Sequence, residues 1–175
     1  MSAIVVMGVA GCGKSSVAAA LAARLGGCLI EGDAFHPEAN VAKMRAGTPL
    51  DDSDRAGWLE RLAAELRAGV AASDYPVLAC SALKKRYRDC LRDAVPMLGF
   101  VFLDLPRDVA AQRVAGRGGH FMPTTLVESQ FATLESPVGE PFTLALDARL
   151  PVDDIANAAA EWGKTYNFGR FSSAV

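Results

Sequence analysis

Positive charge is not in surplus in this chain: 18 Lys and Arg stand against 20 Asp and Glu, a formal net charge of −2 over 175 residues. No global field therefore gathers nucleic acid, although local basic clusters remain free to meet a small anion. Cysteine is sparse, and Cys12, Cys28, Cys80 and Cys90 show no CxxC pairing, which points to reduced thiols in a cytoplasmic protein rather than a disulfide framework. The N-terminus lacks a basic region followed by an apolar segment and a cleavage site. No apolar run approaches the roughly 20 residues of a membrane span, because charges or glycines interrupt each one. Internal repeats, low-complexity linkers and composition breaks are also missing. With 51% hydrophobic and 22% charged residues, the sequence reads as one domain over 1–175, ending in a small polar tail at 167–175.

What is present is an alternation. Short apolar runs rich in β-branched residues occur at 3–7, 27–30, 76–80, 99–103 and 142–146. Helical patterns fall at 14–25, 37–46, 52–72, 84–93, 106–116, 124–134 and 152–166, with Asp51 and Ser53 available to cap the third. Near-continuous apolar strands separated by helices imply an α/β fold, a mostly parallel five-stranded sheet covered on both faces, with right-handed crossovers.

Between the first strand and the first helix stands "GVAGCGKSS", residues 8–16. Gly8, Gly13, Lys14 and Ser15 satisfy G-x-x-x-x-G-K-[ST] in the strand-to-helix context that a phosphate-binding loop requires. Successive backbone N–H groups through Gly11, Cys12, Gly13 and Ser16 converge on phosphate oxygens, and the following helix adds its positive end. Lys14 reaches the β and γ phosphates. Ser15 offers a hydroxyl to Mg²⁺, a hard cation that takes oxygen ligands. The loop serves kinases, GTPases and ATPases alike, so a second site must decide the reaction.

The next strand leads into "EGDAFHP" and places Asp33 at a strand's carboxyl end, where open α/β sheets bind ligands. An aspartate there either orients a substrate hydroxyl, binds Mg²⁺, does both, or simply makes a turn.

Four blocks carry a family resemblance: "GVAGCGKSS", "GDAFHPEANVAKMRAGTPLDDSDRAGWL", "CSALKKRYRDCLR" and "HFMPTTLVESQFATLESP". Over nearly its whole length the chain resembles the gluconate kinase (gluconokinase) family of small P-loop kinases. The resemblance implies ATP-dependent phosphorylation of D-gluconate at its terminal hydroxyl, in a dimeric cytoplasmic enzyme of the P-loop kinase three-layer α/β/α type. It makes Asp33 the base candidate, with His36 nearby either hydrogen-bonding substrate hydroxyls or capping the helix that Pro37 opens. Arg55, in D-R-x-x-W with Asp54 and Trp58, presents a planar fork suited to the acid end of the substrate, against the alternative of a surface pair with Asp51 or Asp52. Lys84 and Arg88, at i and i+4, are further substrate candidates, because a basic helix start calls for an anion nearby. Ser81 is a candidate cap for that helix.

Arg113 and Arg117 lead into "GRGGHFMP", a glycine-rich lid expected around 117–125 that would close over the phosphates with cationic help, joined by His120. A salt bridge from Arg113 to Asp108 or Glu128 is the alternative. Gln130, Glu135 and Pro137 read as structural. A GTPase-type switch is disfavoured, since N-K-x-D is absent and "DRAG" lacks a preceding apolar strand. A kinase for another small anion, such as shikimate or a nucleoside monophosphate, is the alternative substrate reading.

Overall fold

The structure, a computed structural model, describes residues 1–116 and 124–168. Arg117 and His120, with the expected lid segment they belong to, lie outside the described residues, as does the tail beyond 168. Five parallel strands, β1 (Ala3–Met7), β2 (Leu29–Glu31), β3 (Val77–Ala79), β4 (Leu98–Asp104) and β5 (Thr143–Asp147), form one sheet in the order β2-β3-β1-β4-β5. The helices are α1 (Lys14–Leu25), α2 (Glu38–Arg45), α3 (Asp52–Ala71), α4 (Lys85–Ala94), α5 (Arg107–Ala115), α6 (Thr124–Thr133) and α7 (Val152–Thr165).

The alternation of side chains along β1 explains the three layers. Ile4 and Val6 join Val17, Leu21 and Leu25 of α1 and Ile155 and Ala159 of α7 in one core. Ala3, Val5 and Met7 join Trp58, Leu62 and Leu66 of α3 and Tyr87 and Leu91 of α4 in the other. Each buried Leu of these layers contributes on the order of 2 kcal/mol of apolar transfer. Two neighbours flank β1, and the chain leaves it for β2 on one side before reaching β4 on the other, so the crevice beyond its carboxyl end is the topological switch point.

Two details go beyond the sequence pattern. The strand expected at 27–30 forms at Leu29–Glu31, and Gly32–Phe35 after it wind into a 3-10 turn. Phe168, assigned to the polar tail, is fully buried and packs edge-on against Tyr75 at 5.8 Å, so the chain remains part of the core to that point.

Candidate active site

Residues 8–13 turn from β1 into α1 with positive φ at Gly8 (144°), Gly11 (81°) and Gly13 (93°). At Gly8 a Cβ would lie 2.8 Å from both Leu103 O and Cys12 Sγ, so only glycine fits between β4 and the loop. Cys12 is buried beneath the loop, and burial pushes its thiol pKa up. Gly8 and Cys12 thus shape the cradle from behind. Gly11, Gly13, Lys14, Ser15 and Ser16 line the cavity of about 250 Å³ that opens in front of it. Lys14 Nζ donates to Val9 O at 3.0 Å, which folds the ammonium over the loop.

The cavity's other walls come from the β2 side and from α3. Asp33 leaves the 3-10 turn with its side chain 73% exposed. Its backbone is held by Trp58, whose Nε1–H donates to Gly32 O at 2.8 Å from within the core. The His36 ring stacks on Trp58 with centroids 4.2 Å apart and planes 12° from parallel, and its side chain is only 3% exposed. Burial draws the His36 pKa below its ordinary 6.5; Asp33 opposes the fall and Arg55 adds to it. The neutral ring's tautomer follows from Asn40. Its Nδ2 donates to Asp54 O at 2.8 Å and lies 3.4 Å from His36 Nδ1, which must therefore accept. The His36 proton then sits on Nε2, 3.9 Å from Asp33 Oδ1.

Arg55 also lines the cavity, with its guanidinium 5.8 Å from the centroid of the Tyr87 ring. Neither expected surface pair forms: Asp51 caps α3 and Asp52 is held elsewhere. The Arg55 Nε is buried without a hydrogen-bond partner among the described residues.

Arg88 is a correction. It is fully buried: Nε and Nη2 grip Glu140 at 3.0 and 2.5 Å, and Nη1 donates to Ala82 O and Leu83 O at 2.9 and 3.1 Å. With those donors committed inside the protein, it does not face the cavity. Lys84 is likewise not on a helical face with Arg88, because it is the extended N-cap residue of α4 (φ −97°, ψ 147°). Its Nζ binds both oxygens of Asp52, at 2.9 and 3.2 Å. The basic helix start is answered from within: Glu135 Oε2 accepts the N–H of Lys85 at 2.6 Å, the capping role that Ser81 was expected to fill. Ser81 lines the cavity instead.

Arg113 makes neither expected salt bridge, since Glu128 pairs with Arg107. It donates to Ala148 O at 3.0 Å and Gly11 O at 3.4 Å, tying the phosphate loop to the segment after β5.

Of two further polar residues at the loop, Glu31 escaped the sequence reading and Gln130 was read only as structural. Glu31, the last residue of β2, accepts the Ser15 hydroxyl at 2.9 Å; its signal was an acid two positions before Asp33. Gln130 of α6 accepts the Ala10 N–H at 2.7 Å through its Oε1, a contact across 120 residues that no local pattern announces. The set Ser15, Glu31 and Asp33 supplies hard oxygen donors suited to Mg²⁺. Among the described residues no cluster of three His, Cys, Asp or Glu forms a metal cage.

A family model for the AAA domain matches residues 4–141. The gluconokinase of Gluconobacter oxydans is 52% identical over 134 residues, covering 77% of this chain and 75% of its own length. The chain belongs to the gluconokinase family. Among solved structures, a gluconokinase from Sinorhizobium meliloti is 46% identical with a TM-score of 0.85, covering 94% of this chain and 93% of its own. A sugar kinase from Janibacter, solved without ligand, is 41% identical with a TM-score of 0.88 over 94% of this chain and 95% of its own. Gluconokinase family membership and the phosphate loop together make ATP the nucleotide.

Proposed function

We infer that the chain is a gluconokinase that transfers the γ-phosphoryl group of ATP to the terminal hydroxyl of D-gluconate, giving 6-phosphogluconate. The single observation that carries this reading is the meeting, in one cavity, of the phosphate loop, the strand-end carboxylate of Asp33 and Arg55, whose Nε has no hydrogen-bond partner among the described residues. Gluconate is an anion at one end and a primary alcohol at the other, so its recognition needs a cation and a proton acceptor held apart. Arg55 and Asp33 are those groups.

Phosphoryl transfer depends chiefly on positioning and charge neutralisation. The loop's N–H groups and the α1 N-terminus bind the phosphates, and Lys14 exchanges Val9 O for a phosphate oxygen. Asp33 accepts a hydrogen bond from the attacking hydroxyl and takes its proton as the bond to phosphorus forms. His36, neutral with its proton on Nε2, donates toward Asp33 or a substrate hydroxyl. Mg²⁺, held through Ser15, Asp33 and Glu31, supplies charge neutralisation of the phosphates when bound. Arg113 keeps Gly11 in register with the segment after β5, and Arg117 and His120 bring further charge and hydrogen bonding from the lid.

One domain over 1–175, a homodimer and a cytoplasmic setting complete the reading. No described helix is long and apolar enough to cross a membrane.

The test is ADP formation from Mg·ATP with D-gluconate, other sugar acids, shikimate and nucleoside monophosphates. Selective turnover of gluconate is expected, and preferential turnover of another acceptor overturns the substrate assignment.

A further inference from the structure

The first turn of α3 carries three carboxylates and one cation, and the structure distributes their partners unevenly. Asp51 Oδ1 accepts the Asp54 N–H at 2.8 Å and the Ser53 hydroxyl at 2.7 Å. Asp54 accepts the Asp51 N–H at 3.0 Å through Oδ2 and the Lys43 ammonium at 2.6 Å through Oδ1. Asp52 is held by three residues at the start of α4: Lys84 on both oxygens, Arg86 on Oδ2 and the Tyr87 hydroxyl on Oδ1. Arg55, the cation of this turn, keeps a buried Nε without a hydrogen-bond partner among the described residues, and unlike Arg92, whose Nε is also unpartnered, it lines the cavity.

This outcome runs against the local sequence. Asp52 and Arg55 stand at i and i+3 on one helix, the spacing at which opposite charges ordinarily pair. Such a pair would neutralise the cation lining the cavity and set a carboxylate beside an incoming carboxylate, a like-charge contact that disfavours binding. Around the Tyr87 ring stand Arg55, Lys84 and Arg86, each 5.5 to 5.8 Å from its centroid, against the single carboxylate of Asp52. The charge left over at this corner of the cavity is positive.

We propose that Lys84, Arg86 and Tyr87 are positioning residues for substrate recognition: they hold Asp52 on the α4 side and so keep the Arg55 guanidinium available to the substrate carboxylate. The proposal rests on the reading of Arg55 as the clamp for that carboxylate. It assigns the basic start of α4 a role one step removed from the ligand.

Steady-state kinetics of the full-length chain separate these roles. Lys84→Met with Arg86→Met releases Asp52 to Arg55 and is expected to raise the gluconate KM roughly tenfold, the effect of losing one charged hydrogen bond, with the ATP KM and kcat unchanged. Adding Asp52→Asn removes the competing carboxylate and restores the gluconate KM. Arg55→Met in the parent chain tests the underlying clamp. If it raises the gluconate KM while Asp52→Asn fails to rescue the double variant, Lys84 or Arg86 touches substrate directly; the positioning role falls and the clamp stands. If Arg55→Met leaves the KM unchanged, both fall. Where the double variant does not fold, Asp52→Asn is compared with the triple variant: equal gluconate KM values support the proposal and a higher value in the triple variant overturns it.

Discussion

Asp33 and Arg55 mark opposite requirements on a side chain in the same cavity. As the proposed base Asp33 must move a proton, and it is exposed, so its replacement tests chemistry with little disturbance of packing. Asp33→Asn should lower kcat on the order of a hundredfold or more while leaving the ATP KM nearly intact, because an amide still hydrogen-bonds but accepts no proton. Near-normal turnover measured by ADP release overturns the base assignment. Gly8 is the reverse case, where shape alone is at stake. Gly8→Ala places a methyl group 2.8 Å from Leu103 O on a backbone at φ 144°, and the cradle must distort. Loss of ATP binding by calorimetry is expected; unchanged affinity would show that the loop tolerates the shift. The identity of these residues was legible because motif and strand-end position name them directly. Which side of a helix faces the ligand was not legible. Arg88 and Arg55 each sit on a helix near an acidic neighbour in sequence, yet one is fully buried on Glu140 and the other lines the cavity. The difference depends on Glu140, 52 residues downstream of Arg88.

The elements follow the pattern of the sequence closely where local chemistry defines their ends. α1 runs from Lys14 to Leu25 as expected, because Gly13 and Gly26 both take left-handed geometry at its caps. α3 begins at Asp52 because Asp51 and Asp54 form a capping box. The start of α4 was read one residue early because its cap comes from a different element. Glu135, just past α6, caps Lys85, while its own N–H donates to Leu83 O at 2.9 Å. Arg88 and Arg92 reach Glu140 in the same stretch, so the segment after α6 is fastened to α4 at two points. Glu135→Ala should therefore cost about 1 kcal/mol, lowering Tm by about 2–4 °C, with little change in kcat. Arg88→Met leaves Glu140 to Arg92 alone and takes the donor from Ala82 O and Leu83 O, and should cost about 3 kcal/mol, while the folded fraction retains the parent gluconate KM. A raised KM at unchanged Tm would return Arg88 to the substrate site.

Acid response belongs to the molecule as a whole, because several groups titrate in the same direction. His36 has a pKa below 6.5 when folded, so over the interval between that value and 6.5 the unfolded chain binds a proton that the native chain refuses. Its contribution to stability is complete above 6.5 and is lost as pH falls through that interval. Carboxylates extend the loss to lower pH. Glu140 is desolvated, which alone would raise its pKa, but Arg88 and Arg92 hold it below the ordinary 4.5. The Arg149 fork holds exposed Asp147 at about 2, where solvent screening limits its share of the stability. Lys85 and Arg92 lower Asp89 in the same way. Each carboxylate's stabilisation is present above its unfolded pKa and disappears as pH falls toward the folded one. The cysteines add nothing in this range, since burial pushes Cys80 up to about 12 and also raises Cys12. Tm followed by circular dichroism should thus decline in two stages, a first that begins as pH falls through 6.5 and a steeper one below 4.5. Exchanging His36 for Gln should remove the first stage and leave the second, because a glutamine amide does not titrate. A first stage that survives that substitution would assign it to another group and overturn the picture of a neutral, buried His36 behind Asp33, the proposed base.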